Sequence, residues 1–96
     1  MNAVRLCSAA ECDFTEALCW YANRDKDVAR QFESEFDTAL SSIAESPTAF
    51  PSFDERHRYM QMRRFPFVIV FREIHESIVV IAVAHTARSS GFWHDR

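Results

Sequence analysis

Glycine is almost missing from this sequence: of 96 residues, only Gly91 is one. That excludes a phosphate-cradling glycine loop and a dinucleotide fingerprint, which both need several glycines at fixed spacing. No cofactor is expected. Cysteine is scarce and odd in number, and Cys7, Cys12 and Cys19 show no paired-ligand spacing. On one helix, Cys12 and Cys19 lie two turns apart, about 10 Å, too far for a disulfide. They are expected to be reduced, core or near-core thiols of a cytosolic protein. His57, His75, His85 and His94 also lack metal-ligand spacing, so no metal site is expected. No apolar run approaches the roughly 20 residues of a membrane span, and the N-terminus carries no signal-peptide pattern. The expected protein is soluble and cytoplasmic.

Apolar side chains are abundant. They make up 48% of the chain and nine are Phe, which excludes disorder and points to an aromatic-rich core. The length suits one domain, residues 1–96. The net charge of −3 hides an asymmetry. Residues 1–53 hold four basic and nine acidic side chains, a balance of −5, whereas residues 54–96 hold seven basic and five acidic ones, a balance of +2. Two surfaces with different partners, or simply solvated charge, would both account for this split. Overall acidity argues against tight, sequence-independent binding to naked nucleic acid.

Two unbroken apolar runs organise the chain: Phe67 to Phe71 and Ile78 to Ala84, linked by Ile74-His75-Glu76-Ser77. Such runs suit central strands with apolar neighbours on both faces. Upstream, Ala3 to Cys7 reads as a short strand. Ser8 with Glu11 reads as a capping box that opens a helix. Phe14, Ala17, Leu18, Tyr21 and Ala22 give that helix one apolar face, with Trp20 off the stripe. After the turn Asn23-Arg24-Asp25, with Asp25 as N-cap, a second helix buries Val28, Phe32, Phe36, Ala39, Leu40 and Ile43. Ser46-Pro47 ends it. Phe50 and Phe53 are expected to plug the end of the core. Arg58 to Arg63 alternates as a strand with Met60 and Met62 inward, and Phe65-Pro66 breaks its pairing. The expected fold is α+β, in the order β-α-α-β-β-β. An antiparallel helical hairpin covers one face of a small mixed or antiparallel sheet, the first strand lies beside a late one, and the other face is partly open.

The candidate chemistry sits at the ends of the late strands. His85 is either a proton-transfer or phosphate-contacting residue or a ring fixed by the backbone. Arg63, Arg64, Arg72 and Arg88 either converge as an anion-recognising set or pair with Glu73, Glu76 and the acidic helices. No nucleophile constellation can be picked out. Trp20, Tyr21 or Trp93 would suit a docking patch for a partner or a second copy.

Read in order, Ile43-Ala44-Glu45-Ser46-Pro47, Phe50-Pro51, Arg64-Phe65-Pro66-Phe67, Val70-Phe71-Arg72 and Val80 to His85 with Arg88 and Trp93 resemble the RelE/ParE superfamily of small toxins from bacterial type II toxin–antitoxin modules. The resemblance covers nearly the whole chain. It implies the same β-α-α-β-β-β fold and a cognate antitoxin, in a toxin–antitoxin hetero-oligomer or beside a homodimer. It also implies one of two activities. ParE-like members bind and inhibit DNA gyrase; RelE-like members cleave messenger RNA on the ribosome. The acidic charge and the apolar Phe65-Pro66-Phe67 favour the ParE-like branch. There, Arg63, Arg64, Arg72, His85, Arg88 and Trp93 would contact the target. In the ribonuclease alternative, His85, Arg64 and Arg63 would be the catalysts. Ser89-Ser90-Gly91 departs from a common family pattern, which has a proline before the aromatic.

Overall fold

The structure, a computed structural model, describes residues 3–87, 91–93 and 96. Strand β1 (Ala3–Leu6) leads directly into helix α1 (Ser8–Ala22), and helix α2 (Lys26–Glu45) returns beside it. A single 3-10 turn (Pro47–Ala49) follows, then β2 (Arg58–Gln61), β3 (Phe67–Ile74) and β4 (Ser77–His85). The strands form one mixed sheet in the order β1-β4-β3-β2. β1 runs parallel to β4, and the other two pairings are antiparallel. The α+β order and the place of β1 beside a late strand agree with the sequence.

Local chemistry explains most boundaries. Asp25 caps α2: its carboxylate accepts the backbone N–H of Asp27 at 2.9 Å and of Val28 at 3.4 Å. The capping box at Ser8 does not form. Cys7 is still held in the sheet, its N–H donating to Val80 O at 3.0 Å, so it takes the cap position and offers no side-chain cap. His75 makes the β3–β4 turn with φ of 57°, an unusual left-handed conformation for a non-glycine residue. β2 stops at Gln61, two residues before the expected Arg63, because the loop to Pro66 folds back: Met62 N–H donates to Phe67 O.

The core lies between the helices and the sheet. Phe32 is fully buried, and its ring meets those of Phe14, Tyr21, Phe65 and Phe67 at 5.1 to 5.6 Å. Phe67, Ile69, Phe71, Ile78, Val80 and Val83 face this side. On β4 the alternation slips once. Val70 pairs with Ala82 but Phe71 pairs with Val80, which leaves Ile81 as a bulge. Ile81 and Ala82 therefore both join the cluster on the second face.

That second face is less open than expected. Trp93 is buried on it against Val70, Val79, Ala82 and Ala84, with Phe92 beside it. Phe53 does not plug the core's end. It is exposed on the second face and its ring meets Trp93 at 5.1 Å, while Phe50 alone packs on Phe71. The thiols also differ from expectation. Cys7 is half-buried, but Cys12 and Cys19 are exposed on the outer side of α1.

Candidate functional site

The β2–β3 link, the start of β3 and the end of β4 meet at one end of the sheet, where Phe67 pairs with His85. The loop from Met62 to Pro66 is anchored there by a buried ring and a carboxylate. Phe65 is buried against Tyr21 and Phe32. Glu35, from α2, accepts the backbone N–H of Arg63 at 2.6 Å and that of Arg64 at 3.3 Å, and also the Arg64 Nε–H at 3.4 Å. The carboxylate fixes the main chain while both arginines remain exposed. The guanidinium of Arg63 makes no ion pair among the described residues. The Arg64–Glu35 pair is exposed on the arginine side, so solvent weakens it and the guanidinium can exchange partners.

His85 shares this end. Its ring stands edge-on to Phe67 at 5.2 Å, and residues paired directly across two strands share a face, so it lies on the helix side of the sheet. The backbone N–H of Ala87 donates to His85 Nδ1 at 3.0 Å. In the neutral ring, Nδ1 is thus an acceptor and Nε2 carries the proton. The nitrogen offered to a partner is a hydrogen-bond donor, not a ready base.

The other expected site residues are elsewhere. Arg72 is five residues along β3 from Phe67, about 17 Å away at strand rise, and points to the second face with Val68 and Val70. Its Nε is buried with no hydrogen bond among the described residues. It borders a cavity of about 250 Å³ shared with Ser52, Asp54, Arg56, His57, Arg58 and Glu73. There Asp54 accepts the backbone N–H groups of Arg56 and His57 at 2.8 Å each, and lies 2.9 Å from the buried His57 Nδ1. The Arg56 N–H, then the bonds from His57, hold the Asp54 pKa down at about 2. Trp93 is buried and serves packing. Arg88 lies outside the described residues, as does His94. The structure thus brings Arg63, Arg64 and His85 to one end and separates Arg72 from them, while Trp93 borders a second-face cavity that His85 also lines.

Sequence reasoning missed Glu35 and Asp13. Both act on backbone groups far along the chain, 28 and 70 residues away, and no local spacing announces such contacts. No group of three or more metal-ligating side chains occurs among the described residues, and no described helix is long and apolar enough to cross a membrane.

Comparison with known proteins bears on what this arrangement is for. The family model for the ParE toxin of the type II toxin–antitoxin system, parDE, matches residues 4–90. The chain belongs to the ParE toxin family. Its relatives include the toxin ParE2 of Mycobacterium tuberculosis, in strains CDC 1551 / Oshkosh and ATCC 25618 / H37Rv. Each is 28% identical over 83 residues, which cover 85% of this chain and 79% of the relative. Among solved structures, the chromosomal ParDE TA system from P. aeruginosa matches with a TM-score of 0.77 at 16% identity, covering 88% of this chain and 96% of that one. That likeness shows a shared fold. As a ParE-type toxin of a type II toxin–antitoxin system, the chain has an antitoxin as its implied partner.

Proposed function

We propose that this ParE-type toxin arrests growth by binding DNA gyrase, without cutting nucleic acid, and that a cognate antitoxin neutralises it. The exposed arginines of the Glu35-anchored loop and the Nε2–H of His85 form the contact edge. The observation that carries the reading is the family match over residues 4–90. The site geometry supports it. The three grouped residues all present donors, Nδ1 of His85 is occupied by the Ala87 N–H, and the neighbouring Glu35 carboxylate is taken up by the N–H groups of Arg63 and Arg64. Donors on a pinned loop suit recognition of an acidic surface. Ribonuclease action would instead need a group at this end that accepts a proton.

Induced expression of the toxin alone tests the proposal in cells. The expected result is growth arrest with DNA-damage signalling and intact messenger RNA, relieved by the small protein encoded beside the toxin. Rapid loss of messenger RNA with undamaged DNA would replace the proposal with the ribonuclease reading.

A further inference from the structure

The second face of the sheet carries a cavity of its own. Cross-strand neighbours make its floor: Tyr59 pairs with Val70, and Val68 with Ala84, so the four side chains share that face. Phe53 and Trp93 stand at its side, and the whole borders a space of about 260 Å³.

The cavity is preformed. Phe53 is 42% exposed, yet its backbone is held, its N–H donating to His57 O at 2.7 Å. Its ring meets Trp93 at 5.1 Å and Tyr59 at 6.4 Å. A large ring kept exposed on a fixed loop, beside an apolar floor, is the mark of a surface that another molecule covers.

Size and charge narrow what fits. Small-molecule sites run to about 300–1,000 Å³, so this smaller one suits a single large side chain. No carboxylate lines it among the described residues. The other two cavities differ: the one beside α1 has Asp13 and Glu16, and the one beside Arg72 has Asp54, Glu55 and Glu73. Cations lie close along the chain instead. β2 ends at Gln61, which pairs with Val68 of the floor, and the exposed Arg63 and Arg64 follow within three residues. His85 borders the same cavity from the end of β4.

We propose that this cavity takes one large apolar side chain from an acidic segment of gyrase, whose flanking carboxylates meet Arg63 and Arg64. The inference rests on the gyrase reading above and adds an anchor to it. Exposed guanidinium pairs contribute little alone, whereas an apolar anchor seated in a pocket carries much of an interface's energy. The arginines then select the partner's charge, and the cavity sets its register. In a second copy the matching pattern is Phe53 beside Asp54, but both are engaged. The ring walls the cavity, and the carboxylate is taken up by the N–H groups of Arg56 and His57.

Two variants test the anchor without touching Arg63, Arg64 or His85. Phe53→Ala removes a wall at an exposed position, and Val68→Phe fills the cavity from its half-buried floor. Each is checked for cooperative melting and titrated in a gyrase supercoiling assay beside the native protein. The expected result is that each variant needs about tenfold more protein for half-inhibition. If the native protein inhibits and either variant is equally potent, the inference is overturned and the gyrase reading stands. A native protein that does not inhibit overturns both. Sedimentation of the native protein alone covers the remaining occupant: a dimer that Phe53→Ala splits would give the cavity to a second copy and overturn the inference.

Discussion

Replacing Phe32 by Ala is the severest single test of how the helical hairpin is held to the sheet. Phe32 has no exposed surface and touches four aromatic rings, two on or beside the helices' own core and two, Phe65 and Phe67, from the loop and strand that carry the site. Truncating a buried Phe to Ala costs about 4 kcal/mol, the lost transfer energy plus the cavity that cannot close. Aromatic pairs contribute about 0.5–1.5 kcal/mol each beyond their area, so a four-partner ring belongs at the upper end of that cost. Domains of this size are stable by roughly 5–15 kcal/mol, so the variant should lose about a quarter to four-fifths of its stability. In melting temperature the loss is on the order of 20 °C. Phe32→Leu, which keeps most of the volume, should cost about 1–2 kcal/mol. Urea unfolding of the three proteins, followed by circular dichroism, measures both differences. A loss under about 1 kcal/mol for the alanine variant, or equal losses for the two, would refute the view that this ring joins helices, loop and strand.

Other perturbations probe single devices. Asp25→Ala removes the acceptor for two N–H groups at the start of α2 and should cost about 1 kcal/mol, seen as a lower thermal midpoint. His75→Gly relieves the left-handed backbone and should be neutral or stabilising by about 0.5 kcal/mol, after the entropy cost of glycine; clear destabilisation would contradict it. Asp54 has its folded-state pKa lowered from 3.8 to about 2. Its contribution is therefore present above about pH 4 and lost as pH falls through 2. Melting temperature should fall more steeply over that window in the native protein than in Asp54→Asn.

The sequence carried the fold far but carried the site only in part. The β3–β4 hairpin was legible because residues buried on both faces leave an unbroken apolar run, and α2 because its apolar residues recur at helical spacing. Asp25 was legible because a cap acts within three residues. The capping box failed for a tertiary reason: the sheet bond of Cys7 to Val80 moved the cap position by one. The bulge at Ile81 left no signal, since an extra apolar residue in an apolar run changes nothing in the pattern. The arginines looked equivalent in the sequence. Strand alternation turns Arg72 to the second face and five residues of rise carry it away from Phe67, where the loop of Arg63 and Arg64 ends, and only the pairing register reveals it. Glu35 and Asp13 read as solvated helix charge until the fold brings backbone N–H groups to them.

The central claim is that the Arg63–Arg64 loop and His85 form a gyrase-binding edge. It is tested most directly with purified, antitoxin-free protein in a gyrase supercoiling assay, run beside ribosome-programmed messenger RNA. Native protein should inhibit supercoiling and leave the RNA intact, and a doubly substituted Arg63→Ala, Arg64→Ala protein that keeps its fold should lose the inhibition. Cut RNA with supercoiling untouched, and cutting that stops on His85→Ala, would contradict it.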